Sequence, residues 1–206
     1  SLGADACIVS GIDGVDGLRG KPTYGLEKSV SQYVFERCLT KLGKDIEDYP
    51  FRNMDPGTAA AVMQKGDENV QSIMVWNPFA LQTLRDCEDA QRLFDSSDIP
   101  GEIVDMVVVG KDALDSPRGE DFACAVIDTY FRLNDLLADE EEGDDTLLAL
   151  GRKFSTLGLE DMKQVVKETR FCITPDDALA VYQSKEFREK TMPTVVEFCV
   201  SHGICA

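Results

Sequence analysis

The sequence predicts an α/β protein in which short strands feed helices around a parallel sheet, followed by a helical second half. Three observations carry this expectation. Short apolar runs at Ala6–Ser10, Lys21–Tyr24 and Ser72–Val75 are each followed by a turn or a helix-start signal. Ile103–Gly110 (IVDMVVVG) is the most apolar strand-like run in the chain. From Glu120 onward, apolar residues recur at helical rather than alternating spacing.

The elements follow in order. Ala6–Ser10 reads as a buried strand closed by the turn Gly11-Ile12-Asp13-Gly14, which would put Asp13 at a strand's carboxyl end. After the strand at Lys21–Tyr24, Ser29 and Gln32 stand at capping-box spacing. Val30, Val34, Phe35, Cys38, Leu39 and Leu42 then mark a helix that stops at Gly43. Tyr49–Asn53 is a third short extended run. Asp55-Pro56-Gly57 starts a second helix, with Asp55 as N-cap and Pro56 at the first helical position, ending at Gly66. Ser72–Val75 ends abruptly in Trp76-Asn77-Pro78 before a third helix through Leu84. Arg92–Phe94 leads into a polar, turn-rich link, Asp95–Glu102. Helices are expected at Phe122–Leu137, Thr146–Phe154, Leu159–Glu168, Thr174–Tyr182 and Glu186–Ser201, with the acidic run Asp139–Asp145 as a solvated loop.

With 206 residues and 43% apolar composition, the chain can bury a core as one large or two small domains. A net charge of −17 argues against nucleic acid or anionic membrane as partners, because phosphate repels such a surface. The first residues do not read as a charged-then-apolar leader. Seven cysteines without C-x-x-C spacing read mainly as small core residues, a usage that leans towards a reducing compartment. Enzyme chemistry finds little support: there is no phosphate-binding loop, nucleophile elbow or H-E-x-x-H, and the single histidine, His202, lies near the end of the chain. Cys199, His202 and Cys205 have metal-capable types but make only three ligands, so neither a metal nor a cofactor is expected.

In a parallel sheet, ligands bind beyond the strand carboxyl ends, so Ser29, Asp55 and Trp76 are expected on one rim. Ser29, Ser31 and Gln32, in the first turn of a helix, could hold a carbonyl, oxyanion or amide, and Glu27 just upstream adds a carboxylate. Trp76, the only tryptophan, offers a flat face beside Asn77. Asp98 and Glu102 form a second carboxylate pair.

The order LRGKP, E-x-S-V-S-Q-Y, N-M-D-P-G-T-A-A-A-V, V-W-N-P and F-D-S-S-D-I-P-G-E-I-V-D-M-V-V-V resembles the substrate-binding proteins of nitrate/sulfonate/taurine-type ABC importers. More narrowly, it resembles the branch associated with urea carboxylase and with urea or guanidine uptake. The similarity runs over nearly all 206 residues, including T-R-F-C-I-T-P-D-D-A-L and the closing H-G-I. The resemblance implies a periplasmic-binding-protein-like (type II) α/β fold. One parallel or mixed-sheet lobe would be largely complete, accompanied by C-terminal helices of the other lobe. It implies that 1–14 is a residual first-lobe strand, 15–103 the ligand-facing second lobe, and 104–206 the crossover strand with the helical part of the first lobe. Much of the first lobe would then be absent, and exposed first-lobe helices would favour a homodimer.

On this resemblance Glu27, Ser29, Ser31, Gln32, Asp55, Trp76 and Asn77 line the second lobe's face, Asp13 comes from the first lobe, and Asp98 and Glu102 lie near the return crossover. The branch commonly has a histidine where Gln32 stands, which shifts the expectation from an anion to an amide or cation. The implied function is capture of a small nitrogenous solute such as guanidine or urea in an interlobe cleft, in partnership with importer membrane subunits. The implied location is periplasmic or extracellular, although the cysteine usage leaves the cytoplasm open. The alternatives are a small anion such as nitrate, a sulfonate or taurine, or a dimeric interaction or regulatory module on the same fold.

Overall fold

Alternation along the first strand decides the layout. In β1 (Asp5–Ser10), Cys7 and Val9 point to one face of the sheet and Ala6 and Ile8 to the other, as a period of two requires. All four are fully buried, so both faces must be covered. The computed structural model, which describes residues 1–205, shows how. Five strands make one sheet in the order β3-β2-β4-β1-β5, with β2 at Thr23–Gly25, β3 at Phe51–Asn53, β4 at Ser72–Trp76 and β5 at Ala90–Asp95. After the short helix α1 (Gly14–Leu18), the long helix α2 (Val30–Lys41) packs Tyr33, Val34, Phe35, Cys38 and Leu39 against Cys7, Val9, Met74 and Phe94. On the other face α3 (Pro56–Gln64) and α4 (Phe79–Asp86) close over Ala6, Ile8, Ile73 and Val75.

The sheet is mixed. β2 runs parallel to β3 and β4, whereas β1 is antiparallel to both β4 and β5. The expected parallel or mixed sheet is thus the mixed form, and β1 is the strand that departs from the parallel sense. The connection after β1 holds the five-residue α1, and the chain enters β2 running opposite to β1. Residues 1–14, expected to belong to another lobe, instead place β1 between β4 and β5 in this sheet.

Arg92–Phe94, which leads into the polar link, lies within β5, paired to β1 from Ala6↔Asp95 to Ser10↔Ala90 with a register shift between Cys7 and Ile8. One further expectation is corrected. Ile103–Gly110, read as the most apolar strand, forms no strand; Val107 and Val108 are 78% and 84% exposed. Among the described residues no strand lies beside it, and an extended segment without a pairing partner has little to hold it.

The chain separates into two compact units. The first comprises Ser1–Ile103, Val165–Arg170 and the segment from Ser184 onward, and contains the sheet. Within it, a π-helical turn (Phe187–Thr191) leads into the last helix (Met192–Ser201), whose Val195 and Phe198 pack on the cluster under α2. The second unit comprises Val104–Gln164 and Phe171–Gln183. It holds helices at Lys111–Leu114, Gly119–Ala138, Gly143–Phe154 and Pro175–Gln183, and most of the one at Leu159–Lys167. Leu147 and Leu157 are its buried apolar side chains among the described residues, and Asn134 donates to the Cys172 carbonyl at 3.0 Å. No helix is long and apolar enough to cross a membrane among the described residues.

All seven cysteines are free thiols. Burial pushes the Cys7 and Cys38 thiols up to about 12, so neither forms a thiolate near neutrality. A thiol reagent applied to the native protein is expected to label exposed Cys124 and Cys205 and to spare Cys7 and Cys38 until denaturant is added, read by peptide mass spectrometry. Phe35→Ala, which empties a site 1% exposed beneath the sheet, should cost about 3–5 kcal/mol in a urea melt.

Candidate functional site

Because β1 is reversed, one edge of the sheet collects the carboxyl ends of β2, β3, β4 and β5 together with the amino end of β1. Gly25 closes β2 there. A Cβ at that position would lie 2.6 Å from the Met74 carbonyl and 2.8 Å from the Phe51 ring, so only glycine lets the three strands end side by side. Asp5 stands opposite Trp76 in the ladder, and the Asn77 N–H donates to the Ala4 carbonyl at 3.0 Å.

The turn from β2 into α2 is tied at each step. The Glu27 N–H donates to Asn53 Oδ1 (3.1 Å), which joins the ends of β2 and β3 and leaves the Glu27 carboxylate exposed. Ser29 Oγ accepts from the Ser31 N–H (3.1 Å) and donates to the Leu26 carbonyl (2.6 Å), so Ser29 is the N-cap. Gln32 reaches back to the N–H of Lys28, not Ser29 (2.7 Å), and Lys28 adopts a positive φ of 55° to meet it. The other end of the Gln32 amide donates to Glu36 Oε1 (2.8 Å), which lies 3.0 Å from His202 Nε2. Ser31 Oγ is buried and has no hydrogen-bond partner.

Asp55 caps α3, its Oδ1 accepting from the Thr58 N–H (2.9 Å) and Oγ (3.1 Å), and remains exposed. Trp76 is half-buried, edge-on to Phe79 with centroids 6.3 Å apart. The Phe79 ring also abuts Gly57 in the first turn of α3, which links the Asp55 and Trp76 corners of the edge. Asn77 donates from Nδ2 to Glu168 Oε2 (2.7 Å), and its Oδ1 is buried with no partner. Arg92 lies behind this pair, donating to Glu168 Oε1, Asp95 Oδ2 (both 2.9 Å) and the Gly3 carbonyl (3.0 Å). Burial disfavours the charges of Arg92 and Asp95, but their hydrogen bonds and mutual attraction outweigh it, holding Arg92 up and the Asp95 carboxyl below the usual range.

Glu27, Ser29, Ser31, Gln32, Asp55, Trp76 and Asn77 therefore share one edge. Three other expected residues do not join them as free ligand groups. Asp13 follows the carboxyl end of a reversed strand and is exposed at the opposite edge, where the Ser10 N–H meets the Gln71 carbonyl at the start of β4. Asp98 spends its carboxylate on the Asp95 N–H (3.0 Å) in a capping box, while Lys41 holds its carbonyl. Glu102 is gripped by the Arg37 fork at 2.7 and 2.8 Å and by the Tyr33 hydroxyl at 2.8 Å. The Glu102 carboxylate is thus occupied by the protein's own guanidinium. Sequence reasoning missed Asn53, Arg92 and Glu168; the last sits 91 residues from Asn77 and carries no local signal. No cluster of three or more metal-capable side chains occurs among the described residues.

This arrangement is a periplasmic-binding-protein-like α/β fold. The solved structures it resembles include the periplasmic aliphatic sulphonate binding protein SsuA from Escherichia coli (TM-score 0.64, 18% identity, covering 92% of this chain and 61% of that one). The alkanesulfonate-binding protein SsuA from Xanthomonas axonopodis pv. citri bound to MOPS is similar (0.65, 16%, 92% and 65%). So is the ligand binding component of an ABC-type import system from Staphylococcus aureus with zinc bound (0.63, 13%, 92% and 65%). The chain thus spans between 61% and 65% of the length of these proteins. At such identities the likeness establishes the fold. No protein-family model matches the chain, and no curated protein does.

Burial pushes the Glu102 carboxyl up, but the Arg37 and Tyr33 hydrogen bonds prevail and hold it below its ordinary 4.5. A depressed folded value means stability present above pH 4.5 and lost as pH falls through the folded value. Glu102→Gln should cost about 1–3 kcal/mol at pH 7. The deficit should shrink on acidification below pH 4.5, measured by urea melts across the pH range.

Proposed function

We propose that the chain is all or part of the solute-binding component of an ABC-type importer, working outside the cytoplasmic membrane with the importer's membrane subunits. On this reading it captures a small nitrogenous solute such as guanidine or urea. The fold shared with binding proteins of such importers supports the general role. The observation that carries the reading is the composition of one edge. Two buried side-chain oxygens without partners, Ser31 Oγ and Asn77 Oδ1, lie there with the exposed carboxylates of Glu27 and Asp55 and the half-buried Trp76 indole. The exposed Glu27 and Asp55 carboxylates accept hydrogen bonds, and a guanidinium or urea brings the N–H groups to donate them. The indole offers a face for a planar cation or amide. The similar proteins named for sulfonates have a different kind of ligand, and the edge described above favours a donor.

A second reading, a dimeric interaction module, is favoured by apolar side chains left exposed in the helical unit: Phe122, Ile127, Phe154 and Ile173. Calorimetric titration with guanidinium, urea, taurine and nitrate separates the two readings. Saturable heat with guanidinium or urea, reduced at least about tenfold in affinity by Trp76→Ala, is the expected result. Silence from all four solutes, with a stable dimer in sedimentation, would establish the second.

A further inference from the structure

We propose that a polar groove between α2 and the last helix is a second small-molecule site, and that it takes a short aliphatic diamine in its doubly protonated form. Its lining shares no residue with the sheet edge described above, and the assignment does not depend on the solute bound there.

The sequence sets one wall of the groove. The π-helical turn runs straight into the last helix, and Glu186, Glu189, Lys190, Thr194 and Glu197 recur at three- and four-residue intervals, so they share a face. Across a groove of about 470 Å³ that face meets Arg37 on α2 and the turn at Pro100 and Glu102. The volume lies within the range of small-ligand sites. π-helical turns are rare, and they occur frequently at functional sites.

The cations of the groove are already engaged. Arg37 grips Glu102 with two nitrogens at 2.7 and 2.8 Å, and Lys190 pairs with Glu186 at 2.9 Å. Glu189 and Glu197 are exposed carboxylates, and among the described residues no cation pairs with either. With four carboxylates against two cations, the groove is net acidic. Eight residues of helix set Glu189 and Glu197 about 12 Å apart along the axis. Two ammonium groups joined by a few methylenes match such a spacing, and Pro100 and Pro193 give the methylenes an apolar rest. No aromatic ring lines the groove among the described residues, so a planar guanidinium gains no stacking here.

Thr191 points independently to a ligand. It lines the groove, yet it is 5% exposed. Its hydroxyl makes no cap bond to the helix it precedes, nor any other hydrogen bond among the described residues. Thr194, by contrast, turns its hydroxyl back to the Lys190 carbonyl at 2.9 Å. Unlike Ser31 Oγ and Asn77 Oδ1, the Thr191 hydroxyl is not sealed from solvent. A hydroxyl without a partner in so enclosed a place is costly, and a ligand N–H supplies the missing donor.

Calorimetric titration of the full chain with putrescine, the four-carbon diamine, tests the site. Saturable one-to-one binding is expected at low ionic strength, at least about threefold tighter than that of butylamine. Added salt should weaken it, and butyrate should not bind. Thr191→Val keeps the side-chain shape and removes the hydroxyl, so it should lose about fivefold in putrescine affinity while its urea midpoint stays at or above that of the wild type. Glu189→Gln and Glu197→Gln should each weaken putrescine about two- to fivefold. Glu140→Gln, in the acidic loop, should change nothing. Heat that does not saturate, or a loss in Glu140→Gln as large as that in Glu197→Gln, is attraction to the acidic surface at large and overturns the site. Unchanged affinity in Thr191→Val, or equal affinity for putrescine and butylamine, also overturns the assignment. Guanidinium or urea binding at the sheet edge is read separately, by the Trp76→Ala titration.

Discussion

The reversal of β1 is the constraint on which the rest depends. The strand lies antiparallel between β4 and β5. That single choice sends Asp13 to one edge and brings Gly3, Ala4 and Asp5 to the other, beside Trp76, Asn77 and Ser96. Had β1 run parallel to its neighbours, the edge would have gained Asp13 and lost the backbone that now braces Arg92 and Asn77. The antiparallel placement therefore helps to assemble both the sheet and the polar corner.

That corner is also where burial and charge are hardest to reconcile. Arg92 lies in the last strand of the sheet, half-buried, and is stable there because Asp95, Glu168 and a carbonyl surround its guanidinium. Removing one member of such a cluster leaves the others buried and uncompensated, which is why the cluster holds its shape. Glu168 arrives from the segment Val165–Arg170, far along the chain, and ties it to the sheet edge through Arg92 and Asn77. By contrast, the Arg37, Tyr33 and Glu102 cluster balances its charges within itself.

The features written in local chemistry were legible in the sequence. Ser29 and Asp55 are recognisable as N-caps because the groups they serve lie within three residues, and the helices they start fall where expected. The helices of the second half were visible from spacing alone. Pairing and direction were not. Ile103–Gly110 has the composition of a buried strand, yet composition cannot supply a neighbouring strand. Ala90–Asp95 is a strand whose pattern is masked by Arg92, a charge tolerated only because distant residues meet it. Asp98 and Glu102 were selected for their charge, but the capping box and the Arg37 fork that engage them are tertiary facts. Gln32 was recognised as an N-terminal partner, although its target is Lys28, one residue earlier than the usual box.

The unpaired run at Ile103–Gly110 also bears on colloidal behaviour. Val107 and Val108 lie open to water in a stretch with a single acid, Asp105, and no proline, the composition that nucleates intermolecular β-stacking. What keeps such ribbons from meeting is long-range repulsion, and the chain carries a net charge of −17 to supply it. Dispersal thus depends on ionised surface carboxylates far from the ribbon, and both concentrated salt and mild acid strip away that protection.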